Sequence, residues 1–470
     1  MKKQILILMT AIAALSCTDY LNVKPRGYDI PTTLDQYTGL IYGKEYAYMD
    51  EVFEYMAFEF AADADGFSNA YANMGRAKSR AFCWEKDIFL PDENCGEWNS
   101  PTSFLYGLNV TIAEVMDASD GTEKERLAVQ SEARMLRAWL HFMMAQNFGK
   151  PYDAATAASD RCIPIITTAS TIDASFPMHT VKEVYDFILT EMEEAIPNLS
   201  EEPEHFRRVF RATGEAMLGK VLWMTGRYEE AEPILADALQ HALAQGCSLL
   251  DFNTLLTEDG NLAYPTDWVQ NPEYLFLIDA MPRLWLAVYT TYYNSAIFTI
   301  REDVLFHYFK AGDLRLTQLT GVRSGKTAYT SFKPGDQYSA NINNIITNLG
   351  LSLPDVYLMY AEVLARNGKT SEAASLLEEF RSKRMDPAKA SVTEPDLVVA
   401  AVEERMREYM GFGNSWYDTR RLWNDPKFQY MKNYYTRTDG NDTYTLTEDR
   451  LTMEIPPVVL SWHPEYSTQQ

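Results

Sequence analysis

Six charged residues near the C-terminal end, Glu404, Arg405, Glu408, Asp418, Arg420 and Arg421, form the densest cluster in which chemistry could be sought. Carboxylates brought together can serve as general acid and base, because burial and neighbouring charge drive their pKa values apart. The same residue types also build Arg–carboxylate networks that shift pKa values without catalysing anything. The second reading is favoured, and the strip is expected to tie the last helices to the core. Metal chemistry finds little support. The six histidines show no His-x-x-His or His-Glu-x-x-His spacing, and no Cys-x-x-Cys occurs. Asp63 to Gly66 (DADG) starts like a calcium loop, but its sixth position is Ser68 rather than Gly and its twelfth is Met74 rather than Glu. No cofactor is implied.

The more useful candidates are aromatic. In WLAVYTTYY, Trp285, Tyr289, Tyr292 and Tyr293 recur at i, i+4, i+7 and i+8, the spacing of one helix face. Such a stripe is either core or a surface on which the C–H faces of sugars stack. Trp98 and Trp268 are secondary candidates in loop contexts, with Asn294, Asp267 and Arg283 as polar partners for hydroxyls.

The elements that must position these residues read mostly as helices. Thr122 with Glu125 forms a capping-box signature, Leu136, Leu140 and Met144 follow at helical spacing, and Gly149 and Pro151 end the segment. Thr180 with Glu183 repeats the pattern, with Val184, Ile188 and Met192 on one face and Pro197 as the stop. Two segments, Ala216–Leu239 and Leu358–Phe380, carry the spacing of a tetratricopeptide repeat. Gly219 and Ala231 allow close helix approach, and Gly226 permits the tight turn. Between the two lies an insertion, about residues 249–353, rich in Asn, Thr, Gly, Pro and Tyr. It is expected to hold loops, short helices and short strands near PEYLFLIDA and YNSAIFTI. Irregular loops on a rigid frame are common places for binding sites.

Composition narrows the function classes. With 42 Lys and Arg against 66 Asp and Glu, the net charge is −24, which disfavours nucleic acid and anionic lipid surfaces. The N-terminus reads as a secretory signal: Lys2 and Lys3, an apolar run from Ile5 to Leu15, then Ser16 before Cys17. The run is shorter than the roughly 20 residues a membrane span needs. Residues 1–16 are thus expected to be a lipoprotein signal, Cys17 the acylated N-terminus, 17–27 a tether and 28–470 the folded body. Of the five cysteines, Cys83 and Cys95 are the one pair whose closeness suggests a disulfide.

Taken in order, several stretches resemble the SusD/RagB family of outer-membrane nutrient-binding lipoproteins. They are Asp19–Pro25 (DYLNVKP), the central helix within Ser131–Tyr152, Asn271-Pro272-Glu273, the Gly-Asp-x-Arg of Ala311–Leu316, the second repeat, Glu403–Trp423 and LTMEIPPVVL. Phe412-Gly413-Asn414-Ser415 departs from the family's Glu-Gly-x-Arg. The resemblance implies a mostly α, tetratricopeptide-like core with a loop-rich ligand-binding insertion. It also implies an outer-membrane position facing the exterior and handover of a glycan, or a peptide, to a TonB-dependent, SusC-like transporter barrel. It implies binding rather than catalysis. An exported glycoside hydrolase, or a helical scaffold without a small ligand, are the alternatives.

Overall fold

The structure is a computed structural model that describes residues 31–42, 52–61, 76–169, 175–202, 207–255, 265, 271–276, 299–318, 350–439 and 441–469. It is mostly helical. The helices that frame the molecule are α1 (Gly96–Glu114), α2 (Glu123–Phe148), α3 (Val181–Ala195), α4 (Arg211–Met224) and α5 (Tyr228–Ala244), then α6 (Glu302–Tyr308), α7 (Leu353–Arg366), α8 (Thr370–Ser382), α9 (Leu397–Glu408) and α10 (Ser415–Leu422). Among the described residues, no helix is long and apolar enough to cross a membrane.

Local chemistry explains where α2 and α3 begin. Thr122 Oγ1 accepts from the Glu125 N–H, and the Glu125 carboxylate accepts from the Thr122 N–H at 2.6 Å. Thr180 and Glu183 do the same for α3. Each box satisfies amide groups that have no partner inside the helix. α2 ends at Gly149, and α3 runs into a 3₁₀ turn, Ile196–Asn198, that contains Pro197. α1, α3 and α4 pack around α2, which is buried from Ser131 to Phe148 except at Arg134.

That burial includes polar groups, and each needs a partner. Arg137 donates to Asn109 Oδ1 at 3.0 Å and pairs with Glu191. His141 is fully buried. Its Nδ1 lies 2.7 Å from the Arg137 carbonyl, and its Nε2 accepts from the Ile166 N–H at 3.0 Å. A carbonyl on one side and an N–H on the other fix the neutral tautomer with the proton on Nδ1. Burial pushes its pKa down to about 4.

The two repeat-like segments are helix pairs, α4–α5 and α7–α8. A Cβ on Gly219 would sit 2.4 Å from Leu235 Cδ2, so only glycine lets α4 and α5 approach this closely. Gly226 takes φ +74° in the turn between them. Far apart in sequence, the pairs are neighbours in space: α5 packs on α7, and Trp223 Nε1 donates to Glu362 Oε2 at 2.9 Å. The helical core is therefore continuous across the two pairs, although residues 249–353 separate them in sequence.

Among the described residues, the sheet content is four short antiparallel ribbons. β1 (Phe60–Ala61) pairs with β5 (Thr299–Ile300), β2 (Arg161–Pro164) with β3 (Met178–Thr180), β4 (Tyr274–Phe276) with β6 (Leu351–Ser352), and β7 (Thr436–Thr438) with β8 (Thr443–Thr445). Among the described residues, Cys83, Cys95, Cys162 and Cys247 form no disulfide, and the first three are buried.

Candidate functional site

The charged strip is a buried ion-pair lattice. Glu404 on α9 is fully buried and accepts from Arg315, Arg381 and Arg407, each at 2.6 Å. Burial alone would raise its pKa, but Arg407, Arg315 and Arg381 outweigh that and hold the carboxyl well below its ordinary range. Glu408, one turn on, accepts from Arg315 at 2.8 Å and from Arg384 at 2.8 and 2.9 Å. Arg384 also donates to Glu273 at 2.6 Å and to the Leu250 carbonyl at 2.7 Å. Burial pushes the Glu273 carboxyl up. Burial also works against Glu408, but Arg384 and Arg315 together keep it low.

This lattice has a topological role. Glu273, just before β4, lies in the first part of residues 249–353, and Asp313 and Arg315 lie in the later part. Arg315 forms a bidentate pair with Asp313, at 2.9 and 2.6 Å, before reaching Glu404 and Glu408. Two motifs within this segment are thus fastened to the same helix, α9, Glu273 through Arg384 and Glu408, and Arg315 directly. The β4–β6 ribbon and the Leu353 N–H bond to the Glu273 carbonyl, 2.7 Å, close its base.

The rest of the strip continues toward the repeats. Arg405 bridges Asp355 at 2.9 Å and Asp418 at 3.1 Å, and Arg421 joins Asp418 at 3.0 Å to Glu362 at 2.7 Å. Arg420 differs. Among the described residues it meets no carboxylate, and it donates to the carbonyls of Leu451, Gln146 and Gly149. The departing segment at 412–415 docks by Ser415, whose hydroxyl donates to Glu59.

Arg420 and Arg421 also reach the wall of a cleft of about 1020 Å³, bounded by residues 148–162, 420–424 and 448–455. None of the lattice carboxylates lines it. Two of its own acids are held low: Asp160 against burial by Lys150 at 2.7 Å, and Asp449 by Thr447 and Arg450. Among the described residues, no group of three or more His, Cys, Asp or Glu side chains could hold a metal ion.

The aromatic candidates divide. Trp285, Tyr289, Tyr292, Tyr293 and Trp268 lie outside the described residues, as do Asn294, Asp267, Arg283 and Cys17. Trp98 sits in the first turn of α1 rather than in a loop and is 5 % exposed. Its ring meets Phe148 edge-on at 5.0 Å and Tyr466 at 6.4 Å, so it is placed in the core. Sequence reading missed Arg381 and Arg384, which lie in no motif, and the cleft, whose walls are hundreds of residues apart.

Comparison with known proteins agrees with this architecture. Residues 19–222 match the family described as "Starch-binding associating with outer membrane", and residues 317–458 match the family described as "SusD family". A SusD-like protein of Bacteroides ovatus is 23% identical over 515 residues, covering 94% of this chain and 87% of that protein. A SusD superfamily protein from Bacteroides vulgatus, 20% identical, superposes with a TM-score of 0.71 over 92% of this chain and 98% of its own. A laminarin-binding SusD-like protein, 18% identical, gives 0.59 over 94% and 98%. The repeat-like helix pairs, the insertion that separates them in sequence and matches in order along both halves of the sequence lead to one conclusion: the chain belongs to the SusD family.

Proposed function

We propose that the protein is a carbohydrate-binding lipoprotein of the outer membrane, facing the cell exterior and anchored through acylated Cys17. In this reading the insertion, residues 249–353, takes up an oligosaccharide and passes it to a TonB-dependent, SusC-like transporter. Trp285, Tyr289, Tyr292, Tyr293 and Trp268 supply stacking surfaces, and hydroxyls find polar partners nearby. The work is capture and handover rather than bond cleavage.

The observation that carries the reading is that Glu273, through Arg384, and Arg315 tie two points of the insertion to α9 by buried ion pairs. A long polar segment held this firmly at its base is suited to present a ligand surface whose tips can vary. Membership in a family described as starch-binding, and a structural neighbour that binds laminarin, support carbohydrate as the ligand class.

The test is calorimetric titration of the purified full-length chain with starch and laminarin oligosaccharides and with a peptide mixture. A reducing-sugar assay on the same samples completes it. Saturable heat from a saccharide, with no sugar released, supports the reading. Released sugar would make the protein a hydrolase, and heat from peptides alone would replace the ligand class.

A further inference from the structure

Among the described residues, none of 249–353 lines the cleft beside Arg420. It is preformed rather than incidental. The buried Arg420 guanidinium donates to Gln146 and Gly149 on one wall and to Leu451 on the other, and the Met453 N–H donates to the Asn147 carbonyl at 2.9 Å. A guanidinium bonded to carbonyls on both sides holds the walls at a fixed separation. At about 1020 Å³ the cleft reaches the upper end of small-ligand sites, roughly 300–1,000 Å³.

Its lining is mixed in a way that selects a ligand class. Phe148, Leu451 and Met453 form an apolar floor. The rim carries exposed carboxylates at Asp153 and Glu448. Of its other charges, Lys150 pairs with Asp160 at 2.7 Å, Glu454 with Lys86 at 3.5 Å, Asp449 with Arg450 at 2.9 Å and Arg421 with Glu362 and Asp418, Arg420 is bonded to carbonyls, and Arg161 adds an exposed cation. Charge of both signs, much of it neutralised in place, gives a charged ligand little advantage. A neutral ligand with many hydroxyls can donate to the carboxylates, accept from Lys150 and lay its C–H surface on the floor. Tyr152 adds a half-buried ring, held edge-to-face against Tyr185 at 5.3 Å.

We propose that this cleft is a second carbohydrate-binding site, which takes a neutral oligosaccharide independently of the insertion. The inference rests on the carbohydrate reading above for its ligand class; the geometry is its own.

Methyl NMR on full-length protein labelled at methionine tests it, because Met178 and Met453 both line the cleft and can be assigned by Met178→Leu and Met453→Leu. Starch and laminarin oligosaccharides should shift both methyls, in the parent and equally in the Trp285→Ala, Tyr289→Ala, Tyr292→Ala variant. Tyr152→Ala should weaken that response by about tenfold, and Tyr152→Phe, which keeps the ring, should hold it within about twofold. Oligosaccharide binding by calorimetry with both methyls unmoved would overturn the second site alone. Cleft shifts with unaltered calorimetry in the triple variant would uphold the cleft and overturn the insertion. An absence of any oligosaccharide binding would overturn both.

Discussion

Replacing Glu404 tests the ion-pair lattice most severely. The carboxylate is fully buried, and three guanidinium groups converge on it at 2.6 Å. In Glu404→Ala the three arginines fare differently. Arg315 keeps Asp313 and Glu408, and Arg381 keeps Glu394. Arg407 loses its one carboxylate among the described residues and retains the Tyr308 carbonyl at 2.9 Å. Removing one partner of a buried pair costs about 3–5 kcal/mol, because the remaining charge stays buried. With two of the three arginines still paired, the expected loss lies in that range rather than at three times it. Glu404→Gln should cost less, since its amide oxygen can still accept on the side of Arg381 and Arg407. The Lys182–Asp186 pair, more than half exposed on both sides, is the control, and Asp186→Ala should cost less than about 1 kcal/mol. Urea unfolding followed by circular dichroism and tryptophan fluorescence measures all three. A Glu404→Ala loss no larger than that of Asp186→Ala would refute the claim that the lattice fastens the insertion to the core.

Acid should unfold the protein in part through His141. The native pKa of about 4 lies below the unfolded value of 6.5, so the unfolded chain binds more protons, and stability falls as pH drops from 6.5 to about 4. The loss is about 3 kcal/mol, and His141→Asn should flatten that part of the pH–stability curve; an unchanged slope would show that another group is responsible. Gly219→Val drives a branched side chain into Leu235 and should cost about 1–3 kcal/mol, read as a lower urea midpoint. Burial pushes the Cys83 thiol up to about 11 and the Cys162 thiol up to about 12, so iodoacetamide should leave both untouched in native protein and label them once urea unfolds it.

What the sequence made legible followed the range of the forces involved. The capping boxes at Thr122 and Thr180 and the stops at Gly149 and Pro197 involve residues a few positions apart, and they stand where the spacing places them. The helix pair around Gly219 was legible for the same reason, but its stacking on the second pair, across more than a hundred intervening residues, was not. The strip from Glu404 to Arg421 read correctly as structural, while its partners Arg384, Arg381 and Glu273 emerge only when distant segments meet. Trp98 read as a loop residue and a secondary candidate because nothing local showed that it would join a helix with Phe148 and Tyr466 against its ring. The cleft was invisible for a plainer reason: its walls come from residues 148–162, 420–424 and 448–455.

The central claim is that the insertion binds carbohydrate through its aromatic stripe. Calorimetric titration of the full-length Trp285→Ala, Tyr289→Ala, Tyr292→Ala variant with an oligosaccharide that binds the parent addresses it directly. At roughly 1 kcal/mol per lost aromatic contact, the Kd of the insertion site should rise by about a hundredfold, with the circular dichroism spectrum unchanged. Unaltered affinity in every class of site, or loss of the helical spectrum, would contradict the account.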